Sequence, residues 1–388
     1  MELQKAEGWA IQSALTASQL QCEGRHAALI QSDHGSMDST IVNSCVADNF
    51  LLPESGILRK LRGRFNSKPR MACLIFKEEF PVSTTRALFS LFLMSSTLCL
   101  DAFAGGIDLD FSRASRRQYS EVKAYLGELA KAFPANAKLF TLGESDSGES
   151  IIGLQVGNGS ISNVVVATHH GNEYGSTETA LGFAREISER PIKDQTVYVI
   201  PVLNIGGYNA KSRRESAKGK SFDPNRNYPG PCGTEGPFTL KSTASLARFI
   251  KEKNVVSSAT LHTFSPAVLY PWGLSSKDLK TGYESIYQGL VLDATRESHY
   301  ATGNSTELLY PADGTYEDYA FNEHGIWSLL FEIGYSHSPN PEAVRTAVQV
   351  NVPGIRRMLE SAPSERASKH RFAGKCDRSL ISLDRHDE

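Results

Sequence analysis

The chain has 388 residues, room for one large domain or two small ones, and 40% of them are hydrophobic and 22% charged, an ordinary globular balance. A net charge of -2 lacks the basic excess of a nucleic-acid binder, so charge points to no nucleic-acid partner.

Residues 1–70 carry no sustained period of 2 or 3.6 and no motif. Arg86 then precedes an uncharged, mostly apolar run from Ala87 to Leu100, and Asp101 and Ala102-Phe103-Ala104 follow. A basic residue, a short apolar stretch and small-x-small read as a secretory signal cleaved after Ala104. A buried core helix is the alternative, and the run is short for a membrane-spanning helix, so no stable membrane insertion is expected. Met71 opens a stretch that makes a conventional signal over 71–104. Translation is therefore expected to start at Met71 or nearby, with residues 1–70 absent from the native protein or without structure. The expected compartment is secreted or periplasmic. Of six cysteines, the mature part keeps Cys232 and Cys376, which could pair in an oxidising compartment or remain thiols.

From about 105 to 365 the chain reads as one α/β domain. Arg116 to Phe133 carries Tyr119, Val122, Leu126, Leu129 and Phe133 at helical spacing. Lys138–Leu142 and Ile151–Val156 flank GESDSGES, which suggests a strand pair around a turn. Val164–Ala167, Val197–Ile200, Ala259–Leu261 and Ser328–Phe331 read as buried strands. Thr177–Ile187 and Ser242–Lys253 read as helices between them. This alternation predicts a sheet covered by helices on both sides. Residues 366–388 read as a charged C-terminal tail, partly without fixed structure.

Four signals close predicted strands, where open α/β sheets build their sites. Thr168-His-His-Gly-Asn-Glu173 follows VVVA, and a His and a carboxylate three residues apart on such a turn can face one zinc ion. Alone, H-x-x-E is common on surface turns. Asp223-Pro-Asn-Arg-Asn-Tyr228 offers a planar fork beside an amide, suited to a carboxylate. His262 closes a strand as a candidate ligand, or as a core histidine. Glu332 ends SLLFE, where burial would raise its pKa and suit it to take a proton from water.

Together these segments resemble the zinc metallocarboxypeptidases of the M14 type. HGNE resembles that family's H-x-x-E zinc motif, and DPNRNY its D-x-N-R-N-[FYW] motif. LHTFSPAVLYPWG resembles the segment with the third zinc ligand, and FEIG the one with the catalytic glutamate. GESDSGESI and PVLNIGGY match two further segments, so the resemblance runs from about Tyr119 to Arg345. It implies a three-layer α/β/α fold around a central mixed, mostly parallel twisted sheet. It implies zinc held by His170, Glu173 and His262, and Glu332 as general base. It implies Arg214 on the developing oxyanion, with Arg213 as adjacent rival. Asn225 and Arg226 would hold the terminal carboxylate of a peptide, and Tyr310 would close over it. His169 beside His170 leaves a one-residue ambiguity, although only His170 keeps the three-residue step to Glu173. Asn172 stands where digestive members have arginine, and PVLNIGGY lacks the family's Pro-Asp.

The stretch Tyr310–Asp318 aligns without gaps and puts Glu317 where the family's side-chain pocket is read. An acid there pairs with a basic or amine-bearing C-terminal residue; a solvent-facing Glu317 is the alternative. The expected function is removal of C-terminal residues from peptides by a monomer. The rivals are a peptidoglycan-peptide amidase or carboxypeptidase on the same scaffold, and a non-catalytic zinc or peptide-binding protein. The second rival conflicts with the retained Glu332.

Overall fold

The computed structural model describes residues 108–234, 236–275 and 279–376. The expected signal, the expected start at Met71 and residues 377–388 of the expected tail lie outside them.

Glu121 reaches back to accept the N–H of Gln118 at 2.7 Å, filling a donor that a helix start leaves open. Helix α1 (Tyr119–Ala132) follows and buries Tyr119, Val122, Tyr125, Leu126 and Leu129 as one stripe. The Gly/Ser/Asp turn closes an antiparallel hairpin of β1 (Ala137–Glu144) and β2 (Ser150–Val156). Next come β3 (Ile161–Ala167), α2 (Tyr174–Glu189) and β4 (Gln195–Ile200). β3 and β4 are parallel, and α2 supplies the crossover that parallel pairing requires. Helix α3 (Ile205–Ala210) and the small hairpin of β5 (Glu215–Ala217) and β6 (Lys220–Phe222) lead to α4 (Lys241–Glu252). The chain continues as β7 (Ser257–His262), β8 (Ala267–Tyr270), α5 (Glu284–Ala294), β9 (Ala301–Asn304) and α6 (Ser305–Leu308). It ends with α7 (Tyr316–His324), β10 (Trp327–Glu332) and α8 (Pro341–Ser361).

Eight strands form one sheet in the order β1-β2-β4-β3-β7-β10-β8-β9. The pairs β3/β4, β3/β7, β7/β10 and β8/β9 are parallel, and β1/β2, β2/β4 and β8/β10 antiparallel. The sheet is thus mixed and mostly parallel. Side chains alternate between its faces. On one face Tyr198 meets Phe249 of α4, and Thr260 meets Glu317 of α7. On the other, Gln195 donates to the Leu359 carbonyl of α8, against which α2 also packs. That is the three-layer α/β/α arrangement. One continuous hydrophobic core runs through both interfaces, with Val164, Val165, Val166, Ala259 and Leu329 fully buried.

The charged tail needs a correction over its first part. Ala367 is buried, and its N–H donates to the Gly325 carbonyl at 2.8 Å. Arg366 donates to the carbonyls of Val255 and Ile250, and Phe372 packs edge-on against Trp272. Cys376 is disulfide-bonded to Cys232. Arg366 is therefore consumed by backbone carbonyls of the body rather than by water. Helix α8 has no counterpart among the elements read from the sequence, and it carries Pro353 in its interior, where proline argues against a helix.

Candidate active site

The strands β3, β7 and β10 are adjacent and parallel, so their carboxyl ends share one edge of the sheet. The chain steps from β3 to β4 on one side, then back across to β7 on the other. Such a reversal opens a crevice above the strand ends. His262 and Glu332 are register partners at the ends of β7 and β10. Their side chains therefore leave the sheet side by side on one face.

Beyond β3 the backbone turns at Thr168, whose φ is 61°. A left-handed β-branched residue is rare, and two contacts hold it. The Thr168 hydroxyl donates to the Pro201 carbonyl at 2.9 Å and meets the Thr177 hydroxyl at 2.6 Å. Three residues on, a Cβ at Gly171 would lie 2.1 Å from the Gly207 carbonyl carbon. Only glycine permits that approach, which brings the loop against α3.

This turn aims His170 and Glu173 at His262. His170 Nδ1 lies 2.7 Å from Glu173 Oε1 and 3.1 Å from His262 Nδ1. His262 Nδ1 lies 3.0 Å from Glu173 Oε2. All three residues are buried. With the His170 proton on Nε2 toward Asp223, its Nδ1 lone pair faces the Glu173 carboxylate, acceptor against acceptor. A cation between them resolves the conflict. Tetrahedral zinc with bonds of about 2.1 Å separates its ligands by roughly 3.4 Å, close to the spacings present. His170 Nε2 faces Asp223 Oδ1 at 3.1 Å. That contact puts the ring proton on Nε2 and leaves the Nδ1 lone pair free for a metal.

The electrostatics agree. Burial disfavours a charged His170, but the Glu173 and Asp223 carboxylates outweigh it and raise its pKa. Burial pushes Glu173 up, yet His170 and His262 more than offset this and hold it lowered. Burial likewise opposes charge on Asp223, and His170, Arg226 and Arg213 together keep it well below the carboxylate range. The pocket is built to carry positive charge.

The cleft above these residues encloses about 160 Å³, and Arg213, Asn225, Arg226, Tyr310, Glu317 and Glu332 line it together with the His-Glu-His trio. A hollow of about 210 Å³ between β1 and α4, lined by Phe140, Tyr198 and Arg248, holds no imidazole.

The family model described as "Zinc carboxypeptidase" matches residues 122–353. This chain belongs to that family. Its cofactor is zinc, and His170, Glu173 and His262 are the group that fits the ion. Carboxypeptidase B of Astacus astacus is 27% identical over 256 residues, 55% of this chain and 84% of that protein. Carboxypeptidase O of Bos taurus is 29% identical over 176 residues, 37% of this chain and 47% of that protein. This chain thus matches less than half the length of the bovine relative. The structure of carboxypeptidase A from Helicoverpa armigera superposes with a TM-score of 0.60 at 20% identity, covering 71% of this chain and 86% of that one. At that identity the likeness is one of fold.

Against the zinc carboxypeptidase pattern, His169 is not one of the metal-fitting trio. Its Nε2 meets the Tyr228 hydroxyl at 3.0 Å, and its ring stacks on His262 at 5.4 Å. Complete burial, with His262 and His170 nearby, depresses its pKa well below the ordinary value. Arg214 needs a correction. Its guanidinium donates to the Ser221 carbonyl across the small hairpin, outside the cleft. The adjacent Arg213 turns inward instead. Its Nε and Nη2 reach Asp223 Oδ2 at 3.0 and 2.9 Å.

Asn225 is buried, and its Oδ1 accepts the Tyr316 N–H at 2.9 Å. Arg226 donates to the Tyr310 hydroxyl at 3.1 Å, and Tyr310 is 49% exposed. Glu317 is 3% exposed, in the first turn of α7, and takes a hydrogen bond from the Thr260 hydroxyl. The solvent-facing alternative for Glu317 does not hold. Glu332 Oε2 is buried without a hydrogen-bond partner among the described residues. Burial, reinforced by the Glu173 charge, raises its carboxyl well above the ordinary range.

Several residues escaped the sequence reading. Asp223 orients both His170 and Arg213. Asn204 donates to the carbonyls of His169 and Arg213 at 3.1 and 3.2 Å, tying the two loops together. Its signal in the sequence is the asparagine of PVLN. His337 and Phe264 line the outer cleft with ring centroids 4.9 Å apart.

Proposed function

We propose that this protein is a carboxypeptidase that removes C-terminal residues from peptides, with a preference for basic or amine-bearing ones. One observation carries the reading. Guanidinium and amide groups, a buried acid and a zinc-fitting trio line the same cleft.

His170, Glu173 and His262 would hold zinc, which supplies a Lewis acid for the scissile carbonyl and lowers the pKa of water. Arg226 and Asn225 would grip the substrate's terminal carboxylate, since a guanidinium fork matches its geometry. Tyr310, already bonded to Arg226, would cover the bound end. Arg213 rather than Arg214 would stabilise the oxyanion that develops as the carbonyl is attacked. Glu332 would take the proton from the attacking water and return it to the leaving amine. Glu317 would pair with a cationic side chain at the pocket floor. The disulfide and the signal pattern ending at Ala104 support export.

Glu332→Gln tests this reading. Turnover of a C-terminal lysyl peptide should fall by roughly 10²–10⁴, while zinc content stays at the wild-type level. Full activity in the variant would reject the mechanism. Release of residues from muropeptides but not from ordinary peptides would favour the cell-wall rival, whose diaminopimelate also carries an amine.

A further inference from the structure

Glu317 and Thr260 are 57 positions apart in sequence, and the sheet brings them together. Thr260 and Leu330 are register partners, two residues before His262 and Glu332. Thr260, Leu330, His262 and Glu332 therefore share the sheet face beneath the cleft. The completely buried Thr260 hydroxyl donates to Glu317 Oε1. Among the described residues none donates to the other oxygen, Oε2, and Glu317 lines the cleft. The neighbouring acid does not add to it. Both carboxylate oxygens of Asp318 lie within hydrogen-bond distance of the Gly273 N–H, at 3.2 and 3.0 Å, and Asp318 does not line the cleft.

Oε2 thus keeps its full acceptor capacity, while Oε1 already spends a lone pair on the Thr260 hydroxyl. A guanidinium binds best to two oxygens in one plane through two parallel N–H bonds. An ammonium is a point charge whose three donors radiate, so one oxygen serves it fully. Ser305 lines the same cleft, and a hydroxyl suits a second ammonium donor. Leu309, Ala312 and Leu330 supply apolar wall for a four-carbon stem.

We propose that Thr260 is a positioning residue that makes the pocket favour C-terminal lysine, or another primary amine, over arginine. The inference rests on the carboxypeptidase reading above and refines its pocket. By occupying a lone pair of Oε1 and fixing the plane of the carboxylate, Thr260 competes with the second N–H bond that a guanidinium fork would make there.

The test is kcat/KM for matched peptides ending in Lys, Arg or Leu, using the zinc-loaded wild type, Thr260→Val and Thr260→Ser. The wild type should favour Lys over Arg by about tenfold, the worth of one hydrogen bond to a charged group. Thr260→Val keeps the shape but frees Oε1. The Lys/Arg ratio should then approach one, mainly through a lower KM for Arg. Thr260→Ser keeps the hydroxyl and should keep the wild-type ratio. Equal rates or an Arg preference in the wild type overturn the inference. So does a Val variant that slows both peptides alike, since that marks a merely structural threonine. Should the Val variant not fold, the wild-type ratio and the Ser variant still decide. A wild-type preference for Leu over both cations would instead overturn the acidic-pocket reading, and failure to release any residue would overturn the carboxypeptidase reading.

Discussion

Asp223→Asn perturbs the zinc site without touching a ligand. The Asp223 carboxylate accepts from His170 Nε2 at 3.1 Å and from the Asn225 N–H at 2.8 Å through Oδ1. Its Oδ2 accepts from Arg213 Nε and Nη2 at 3.0 and 2.9 Å. Asparagine has one oxygen. If that oxygen faces His170, its NH2 group opposes the Arg213 guanidinium; if it is flipped, NH2 opposes the Nε2–H of His170. Either way a donor meets a donor, and the charge that favours a zinc-bound imidazole is gone. Loss of such an outer carboxylate weakens metal binding by roughly 10–100-fold, about 1.4–2.7 kcal/mol. Competition of the purified protein against a zinc chelator at neutral pH reads this directly. Arg213→Met is the matched control. It should cost roughly 10²–10³ in kcat, as losing one oxyanion donor does, with zinc affinity kept. If Asp223→Asn binds zinc as tightly as the wild type, the carboxylate does not set the His170 tautomer, and the argument for Nδ1 as ligand atom fails.

Two further predictions concern stability. Burial raises the pKa of Glu215 from 4.5 to about 7, against the smaller lowering effects of Ser242 and the Asp146 backbone; its Oε2 takes a hydrogen bond from Ser242 at 2.6 Å. The fold therefore holds the proton more tightly than the unfolded chain does. Its contribution is fully present below about pH 4.5 and is lost as pH rises to about 7, a change of roughly 3 kcal/mol. Denaturant unfolding of Glu215→Gln should lack that decline; parallel pH profiles for variant and wild type would show that Glu215 titrates normally. The Cys232–Cys376 bridge spans 144 positions, and the chain-entropy account gives it about 4–5 kcal/mol. Thermal melts with and without reductant should differ by several degrees, and coincident melts would mean that the C-terminal segment is held by its packing alone.

Some of this molecule can be read along the chain. The β-branched run at Val164–Ala167 must be buried, and the turn after it can present His170 and Glu173 together because three residues of local geometry suffice. The stripe of Tyr119, Val122, Leu126 and Leu129 dictates α1 for the same local reason, and SLLFE announces a strand ending in an acid. Other features are invisible at that range. Whether Arg213 or Arg214 faces the cleft depends on the bend that leads into a two-strand hairpin and on Asp223, which that hairpin brings back to Arg213. The pairing of His262 with Glu332 depends on the register of β7 against β10, and the bond from Thr260 to Glu317 on α7 docking over that face. The charged residues after Pro363 look like a solvated tail, yet Arg366, Phe372 and Cys376 find partners far away in sequence. Local periodicity reports which surfaces want burial. Which surfaces meet is decided by long-range packing, where loop-closure entropy and side-chain fit are settled for the whole chain at once.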